Sequence, residues 1–231
     1  MAGTDEVRRG RTGLSRSRVL EAAVALADRD GVDGLTIRAL ATELSTKPMS
    51  IYHYVAGKDA ILDGLVDQVF AEITHPPTDL PWQAALRVRC HSAREVLARH
   101  PWAVPLLESR VNPGEATLDH HEAVLACLRG GGLSLRLTAH AYAVLDSYVY
   151  GFALQEATLP AHGSADIADV AEQILAGMDA GRYPSLHELT RDHVLQPGYG
   201  FGASFEVGMD LLLDGLTALA EQEADLDGPA A

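Results

Sequence analysis

The segment that decides the fold reads Leu35-Thr-Ile-Arg-Ala-Leu-Ala-Thr-Glu-Leu-Ser-Thr-Lys-Pro-Met-Ser-Ile-Tyr-His-Tyr-Val-Ala-Gly-Lys58. Its apolar residues recur at helical spacing, at Ile37, Leu40, Leu44 and Ile51. A short break at Ser45-Thr46 divides the segment into two helices, which can pack at a steep angle and leave one face of the second helix free. The pattern therefore predicts a helix-turn-helix, in which the free helix enters the major groove of DNA.

The predicted free face carries side chains that can hydrogen-bond to base edges or pack against them. They are Lys47, Met49, Ser50, His53 and Tyr54. Thr36 and Arg38 stand at the start of the preceding helix, whose free N–H groups suit a phosphate. Lys58 begins the next helix, close enough for a second phosphate. We expect all of these residues to contact duplex DNA.

The same segment closely resembles the DNA-binding domain of the TetR family, and the resemblance extends over residues 15–75. The matching positions are Thr36, Leu40-Ala41, Ile51-Tyr52, Val55 and Lys58. The resemblance implies that Tyr52 and Lys58 contact backbone phosphates, and that Pro48, Met49, Ser50 and His53 face the bases. A generic buried pair of helices is the alternative interpretation.

Two positions depart from the family pattern. Ser45 stands where glycine is usual, and Thr46 stands where valine is common. We therefore expect a slightly altered turn but an intact motif.

Helical periodicity also dominates the rest of the chain, and β-branched residues are sparse. We expect an all-α protein of about nine to ten helices, with an N-terminal three-helix HTH domain and a larger helical domain for ligand binding and dimerisation. Ser15 caps a first helix over residues 15–29, and residues 59–74 form a long fourth helix. The predicted organisation is a flexible basic arm (1–14), an HTH domain with the connecting helix (15–75), a ligand-binding and dimerisation domain (76–222) and a flexible tail (223–231).

Later helices are predicted over residues 82–99, 102–108, 115–129, 135–157, 166–180 and 201–221. Two of them carry apolar stripes, namely Leu137, Ala141, Leu145, Tyr148 and Phe152 on one, and Phe201, Phe205, Met209, Leu212, Leu216 and Leu219 on the last. Such stripes need a partner surface, either in the same chain or in a second copy. The C-terminal region resembles a TetR ligand and dimerisation domain, which implies a homodimer. A dimer could hold two reading helices about 34–36 Å apart on a palindromic operator.

A small-molecule site is expected to be mostly apolar, with a few polar side chains that orient the ligand. Polar or aromatic residues on apolar helix faces are therefore the ligand-binding candidates, and they are Arg94, Trp102, His121, Tyr142 and Asp146. Ordinary alternatives exist for three of them. His121 could be a hydrogen-bonded core histidine, Asp146 could pair with an arginine across a dimer, and Trp102 could be core.

Charge is distributed unevenly along the chain. The net charge is −14, yet residues 1–60 hold nine Lys or Arg against eight Asp or Glu, and residues 8–18 hold five arginines and no acid. A basic head on an acidic body suits a protein that contacts phosphate at one end only. A solvated, disordered tail is the alternative reading of the arginines.

Several classes of protein are disfavoured by the sequence. No run of about 18 apolar residues could span a bilayer, and no secretory signal follows the first residues. We expect a cytoplasmic protein without membrane contact, in which Cys90 and Cys127 stay reduced. Adjacent residues on a helix point about 100° apart, so the run Asp119-His120-His121-Glu122 cannot chelate one ion. We expect no metal and no cofactor.

Together these patterns predict a ligand-responsive DNA-binding regulator, a repressor that an unknown small-molecule effector releases from a palindromic operator. A DNA-binding regulator without an effector is the first alternative. A helical enzyme is the second, with Asp146 and Tyr142 as a conceivable acid/base pair. The sequence contains no nucleophile elbow, phosphate loop or His-Glu metal pair, so we expect no enzyme.

Overall fold

A computed structural model describes residues 13–107, 109–159 and 164–227, and within them all regular structure is helical. Eleven α-helices are present there: α1 Arg16–Gly34, α2 Ile37–Glu43, α3 Pro48–Ile51, α4 Lys58–Glu72, α5 Trp82–Arg99, α6 Val104–Leu107, α7 Glu115–Gly130, α8 Leu135–Thr158, α9 Ser164–Ala176, α10 Pro184–Leu189 and α11 Ser204–Asp227. Most of the basic arm (residues 1–12) and the end of the tail (228–231) lie outside the described residues.

The first four helices share one apolar core. Ser15 caps α1 as expected, since its side chain accepts a hydrogen bond from the Arg18 backbone N–H, and the helix is interrupted at Gly31, where φ is 72°. Helix α1 packs on α2 and α4. The side chains at the centre are at most 2% exposed: Val19, Leu26, Leu40, Ile51 and Leu65. Because each buried side chain of this size contributes about 1.5–3 kcal/mol, this core fixes the orientation of α2 and α3.

The turn between α2 and α3 has an unusual backbone. Ser45 has a φ of 49°, the left-handed region that side chains other than glycine rarely adopt. The Thr46 N–H donates to the carbonyl of Ala41 at 2.8 Å, which closes the turn. The motif thus remains intact despite the serine, as expected, and the turn takes the shape that glycine would adopt without a steric penalty.

Helices α4, α5, α7 and α8 form the centre of the larger half of the protein, where α5 packs on α8 and α4 packs on α7. Helix α4 belongs to both halves, because its other side packs on α1. Its buried residues therefore surround the helix, and they are Ile61, Leu62, Gly64, Leu65, Val66, Val69 and Phe70. A Cβ atom on Gly64 would lie 2.6 Å from Leu20 of α1, so the missing side chain lets the two helices approach closely.

The C-terminal third differs in detail from the periodicity. Helix α9 ends at Ala176, before the predicted end at residue 180, and α10 is followed by a π-helical turn at Thr190–Val194. Helix α11 begins at Ser204, after a 3-10 turn, and continues to Asp227. The predicted tail over residues 223–231 therefore begins inside α11.

The apolar stripes predicted for dimerisation are largely internal. Helix α11 packs on α8, and Leu137, Leu145, Phe205 and Met209 are buried in that contact or in the adjoining core. A neighbouring stripe is exposed and includes Val144, Leu211 and Leu226, and Leu219 of the predicted stripe is exposed beside it. It borders a cleft of about 570 Å³ between α8 and α11. Each of the two helices therefore carries apolar residues on two sides, of which one is internal and the other is exposed.

The strain at Ser45 gives a direct test of the turn. Ser45→Gly should raise the free energy of unfolding by about 0.5–1 kcal/mol, since relief of a Cβ clash of about 1–2 kcal/mol exceeds the added entropy of the unfolded chain. Urea denaturation measures this difference. Ser45→Ala keeps the Cβ atom and is the matched control. Equal stabilities of the two variants would show that the turn holds no strain.

Candidate DNA-reading surface and sensor cavity

The ten residues predicted to contact DNA lie on one small domain. Nine are exposed and Ser50 is half-buried, and we call this set the reading surface: Thr36, Arg38, Lys47, Pro48, Met49, Ser50, Tyr52, His53, Tyr54 and Lys58. Met49 is 72% exposed and Tyr52 is 48% exposed. Large apolar and aromatic side chains gathered at such exposure are typical of a binding surface.

Local structure explains the placement of these residues. Thr36 caps α2, and its side chain accepts a hydrogen bond from the Ala39 N–H at 3.1 Å. Pro48 begins α3, where a missing N–H costs nothing, and Ile51 anchors α3 in the core at 0% exposure. The rest of α3 and the following turn are consequently turned outward.

The cations of the reading surface are available to phosphate. Arg38, Lys47 and Lys58 form no ion pair with any residue in the described part of the chain. Elsewhere most arginines are held by carboxylates, as Arg87 is by Glu206 and Asp210. Unpaired cations beside an exposed helix suit a polyanion, because no internal partner must be displaced when phosphate binds.

A cavity of about 720 Å³ lies between α4, α7, α8 and the segment after α6. Three of the five predicted ligand residues line it, namely His121, Tyr142 and Asp146. His121 Nδ1 and the Tyr142 hydroxyl are hydrogen-bonded at 2.7 Å across α7 and α8. The volume falls within the range of about 300–1,000 Å³ that is usual for small-molecule sites.

Carboxylates of α4 hold the wall of this cavity. Asp63 accepts hydrogen bonds from Arg110 Nε at 2.6 Å and from Asn112 Nδ2 at 3.3 Å. Asp67 accepts two from Thr117, through its backbone N–H at 2.8 Å and its hydroxyl at 2.9 Å. Arg110, Asn112 and Thr117 all line the cavity. The helix that begins at the reading surface is therefore bonded directly to the cavity wall.

A buried polar cluster forms the deep side of the cavity, and most of it was not predicted. Arg89 of α5 lies 2.8 Å from Asp146 of α8 as an ion pair, and its Nε donates to His120 Nε2 at 3.0 Å. Arg89 and His120 are 0% exposed. Asp146 thus pairs with an arginine of its own chain.

The buried face of α7 contains His120 and not its predicted neighbour His121. His120 is buried, together with Thr117, Val124 and Leu128, whereas Leu118 is exposed and His121 is half-buried. The spacing of these four residues at steps of three and four was a signal that could have found His120. Arg89 gave no such signal, because an arginine on a helix is usually exposed.

The other two ligand candidates lie outside the cavity. Arg94 pairs with Glu156 at 2.5 Å and stacks on Phe152 and Phe205, beside a separate cleft of about 520 Å³. Trp102 is buried, and its indole N–H donates to Asp28 of α1 at 2.6 Å. The structure does not bring these two residues together with the other three.

Trp102 instead belongs to a joint between the two halves of the protein. Asp28 also lies 2.6 Å from His100 Nδ1, and His100 Nε2 lies 3.3 Å from Glu72 at the end of α4. This joint therefore links α1, the end of α4 and the corner after α5.

Within the described ranges, no group of three His, Cys, Asp or Glu side chains is arranged to hold a metal ion. No described helix combines the length and apolarity needed to cross a membrane.

These features define a class of protein, a helix-turn-helix DNA-binding regulator with a separate cavity domain. A family model described as "Bacterial regulatory proteins, tetR family" matches residues 19–65, and one described as "Tetracyclin repressor-like, C-terminal domain" matches residues 75–220. The chain belongs to the TetR family of transcriptional regulators.

Individual relatives agree with this assignment. The transcriptional repressor DrrR1 of Streptomyces coeruleorubidus is 33% identical, over 94% of this chain and 82% of its own length. The crystal structure of apo ActR from Streptomyces coelicolor has a TM-score of 0.78 and 26% identity, covering 93% of this chain and all of that chain. The crystal structure of ActR in complex with actinorhodin has a TM-score of 0.75 and 28% identity, and the match covers 90% of this chain and 99% of that chain.

The buried histidine predicts how stability depends on pH. Burial, and then the charge of Arg89 with smaller contributions from His121 and His75, lowers the pKa of His120 to about 2. The unfolded chain therefore binds a proton near pH 6.5 that the native protein does not bind. The free energy of unfolding should fall as the pH falls, by about 2 kcal/mol between about pH 7.5 and 5.0 from this residue alone.

Chemical denaturation across this pH range measures the effect. His120→Gln should lose this part of the pH dependence, because glutamine does not titrate. The control variant His53→Gln removes an exposed histidine and should keep the wild-type slope. A His120→Gln slope equal to that of the wild type would contradict the assignment.

Proposed function

We propose that this protein is a homodimeric repressor that binds a palindromic operator and is released from it by a small molecule bound in the 720 Å³ cavity. One observation carries this proposal. Helix α4 begins with Lys58 of the reading surface, and its carboxylates Asp63 and Asp67 bond to the cavity wall. A displacement of that wall is therefore transmitted to the reading surface by a single rigid helix.

On DNA, the reading surface divides into two roles. Pro48, Met49, Ser50 and His53, flanked by Lys47 and Tyr54, face base edges in the major groove. Thr36, Arg38, Tyr52 and Lys58 contact phosphates on either side, which set the register of the helix. The exposure of these side chains and the unpaired state of the three cations support this division.

The exposed stripe of α8 and α11 pairs with the same stripe of a second copy. Leu211 is 72% exposed and Leu226 is 84% exposed, an arrangement that is unfavourable in water for a lone chain. Pairing of two helices from each copy gives a four-helix bundle with twofold symmetry. Twofold symmetry presents two reading surfaces to the two halves of a palindrome.

In the cavity, His121, Tyr142 and Asp146 contact the effector. The bound effector displaces the segment of Arg110 and Asn112, and the hydrogen bonds of Asp63 pass that displacement to α4. A coupling of about 1–3 kcal/mol would change operator affinity by about 5- to 150-fold. The ActR complex with actinorhodin supports a small-molecule effector for the present chain. We assign the protein no catalytic step, and place its action at chromosomal DNA in the cytoplasm.

The direct test is to titrate the protein into labelled DNA duplexes taken from the region upstream of the gene that encodes it. Fluorescence anisotropy of the label measures binding, with and without each member of a compound library. The proposal requires salt-sensitive, sequence-selective binding that at least one compound weakens. Selective binding that no compound alters would leave a DNA-binding regulator without an effector.

Lys58 offers a test of the phosphate contacts. Lys58→Ala should weaken binding to all duplexes and reduce the slope of log affinity against log salt by about 0.9, because one counterion fewer is released. The fold should tolerate the change, since a positive charge at a helix N-terminus is not stabilising. The control Arg182→Ala removes a cation from an exposed position far along the chain and should leave the slope unchanged. An unchanged slope for Lys58→Ala would remove this residue from the interface.

Asp63 offers a test of the coupling. Asp63→Asn weakens the bond to Arg110. For a compound that releases the wild-type protein, the ratio of operator affinity without the compound to that with it should therefore be about tenfold smaller in this variant than in the wild type. Affinity without the compound should change little. Asp119→Asn, an exposed position on α7, is the control. Full release of the Asp63→Asn variant would show that the signal does not pass through this bond.

A further inference from the structure

The deep side of the cavity has an unusual composition for a protein interior. Arg89, His120, Asp146 and Tyr150 come from three helices, and each is at least nine-tenths buried. Asp146 and Tyr150 also line the cavity, one helical turn apart on α8. The cluster therefore places a carboxylate and a phenol side by side on the cavity wall.

The charges within the cluster balance each other. Burial disfavours the charged form of Arg89, but the Asp146 carboxylate, together with smaller contributions from Tyr150 and Cys90, outweighs burial and raises the pKa of Arg89. His120 is neutral, and its Nε2 accepts the hydrogen bond from Arg89. Burial, and then Asp146, raises the pKa of Tyr150, which keeps its proton. A ligand at this end of the cavity therefore meets no net charge.

Hydrogen-bonding capacity remains unused on the cavity side. Neither oxygen of Asp146 accepts a well-directed hydrogen bond within the protein, although Oδ1 lies in the ion pair with Arg89. The Tyr150 hydroxyl has no hydrogen-bond partner of normal geometry either, although the Arg89 side chain, whose Nη1 is likewise unsatisfied, lies close enough to interact with it. Polar groups buried so completely are normally satisfied, and these two belong to residues that line a cavity large enough for a ligand.

The chemistry of the wall limits what can bind there. A carboxylate only accepts hydrogen bonds, and a phenol can donate or accept one. A ligand hydroxyl can donate to Asp146 and accept from Tyr150 at once. An anionic ligand group would face the Asp146 carboxylate, and a cationic group would find that carboxylate already neutralised by Arg89. Elsewhere the wall combines apolar side chains, including Val66, Phe70 and Leu107, with the ion pair of Asp63 and Arg110, whose charges offset each other.

We infer that Asp146 and Tyr150 form a hydroxyl-reading subsite, and that the effector is a largely apolar molecule with a phenol or alcohol hydroxyl at its buried end. This inference rests on the proposed function, since it concerns the same cavity, and it adds the chemical class of the ligand. Arg89 is a positioning residue, which holds the Asp146 carboxylate at the wall without touching the ligand.

The test measures binding of three probes of one shape to the full-length protein by calorimetry. 1,5-Dihydroxynaphthalene carries hydroxyls, 1,5-dimethoxynaphthalene carries the same oxygens without donors, and naphthalene-1,5-dicarboxylate carries anions. The dihydroxy probe should bind at least about tenfold more tightly than the dimethoxy probe, because a hydrogen bond to a buried charged acceptor is lost with the donor. The dicarboxylate should bind most weakly.

Two matched variants locate the preference. Tyr150→Phe removes one hydroxyl from the wall and should reduce the preference for the dihydroxy probe several-fold, with the dimethoxy affinity nearly unchanged. Tyr148→Phe makes the same change on the same helix, where the hydroxyl donates to the carbonyl of Phe205 and not to the cavity, and should keep the full preference. Asp146→Asn is a further variant, checked first for folding because it leaves Arg89 without its counter-charge.

Operator binding measured with the same probes separates this inference from the proposed function. The subsite is supported if the protein prefers the dihydroxy probe and Tyr150→Phe reduces that preference. If in addition no probe changes operator affinity, that result counts only against release of the operator by such ligands. Any of three results overturns the subsite: equal binding of the dihydroxy and dimethoxy probes, an undiminished preference for the dihydroxy probe in Tyr150→Phe, or no binding of any probe. Release of the operator by dimethoxy and dihydroxy probes alike overturns it while supporting an effector-controlled regulator.

Discussion

Helix α4 must fit two cores at once, and this constraint organises the molecule. One side packs on α1 across Gly64, and the other packs on α7 around Phe70. Its polar positions are used as well, since Asp63 and Asp67 bond to the segment at the cavity. Because α4 is packed into both cores, it joins the DNA-binding half directly to the cavity, which is why the proposed coupling is assigned to it.

The buried cluster of Arg89, His120 and Asp146 places charge where an apolar core would be at least as stable. Its retention at the wall of a cavity is understandable if polarity there serves recognition and not stability. The depressed pKa of His120 follows from the same arrangement, because burial and then the neighbouring charge of Arg89 disfavour a protonated imidazole. The inferred ligand chemistry and the predicted acid sensitivity thus share one structural origin.

Much of the fold was predictable because its signals are local. Caps at Ser15 and Thr36, breaks at glycine and proline, and apolar spacing placed most helices within a few residues. The reading surface was predictable for the same reason, since exposure of α3 follows from one short amphipathic helix. Prediction was poorer for the cavity, where His120 was missed and where Arg94 and Trp102 proved to lie elsewhere.

The sequence by itself determined the class of protein, most of the helices and the exposure of the reading surface, because these depend on residues near one another in the chain. Only the tertiary structure decided which faces of α8 and α11 are internal, and which side chains surround the cavity. Those outcomes depend on contacts between residues far apart in sequence, such as Arg89 with Asp146. A helical period shows that a face is apolar, but not which of several apolar faces a distant helix will cover.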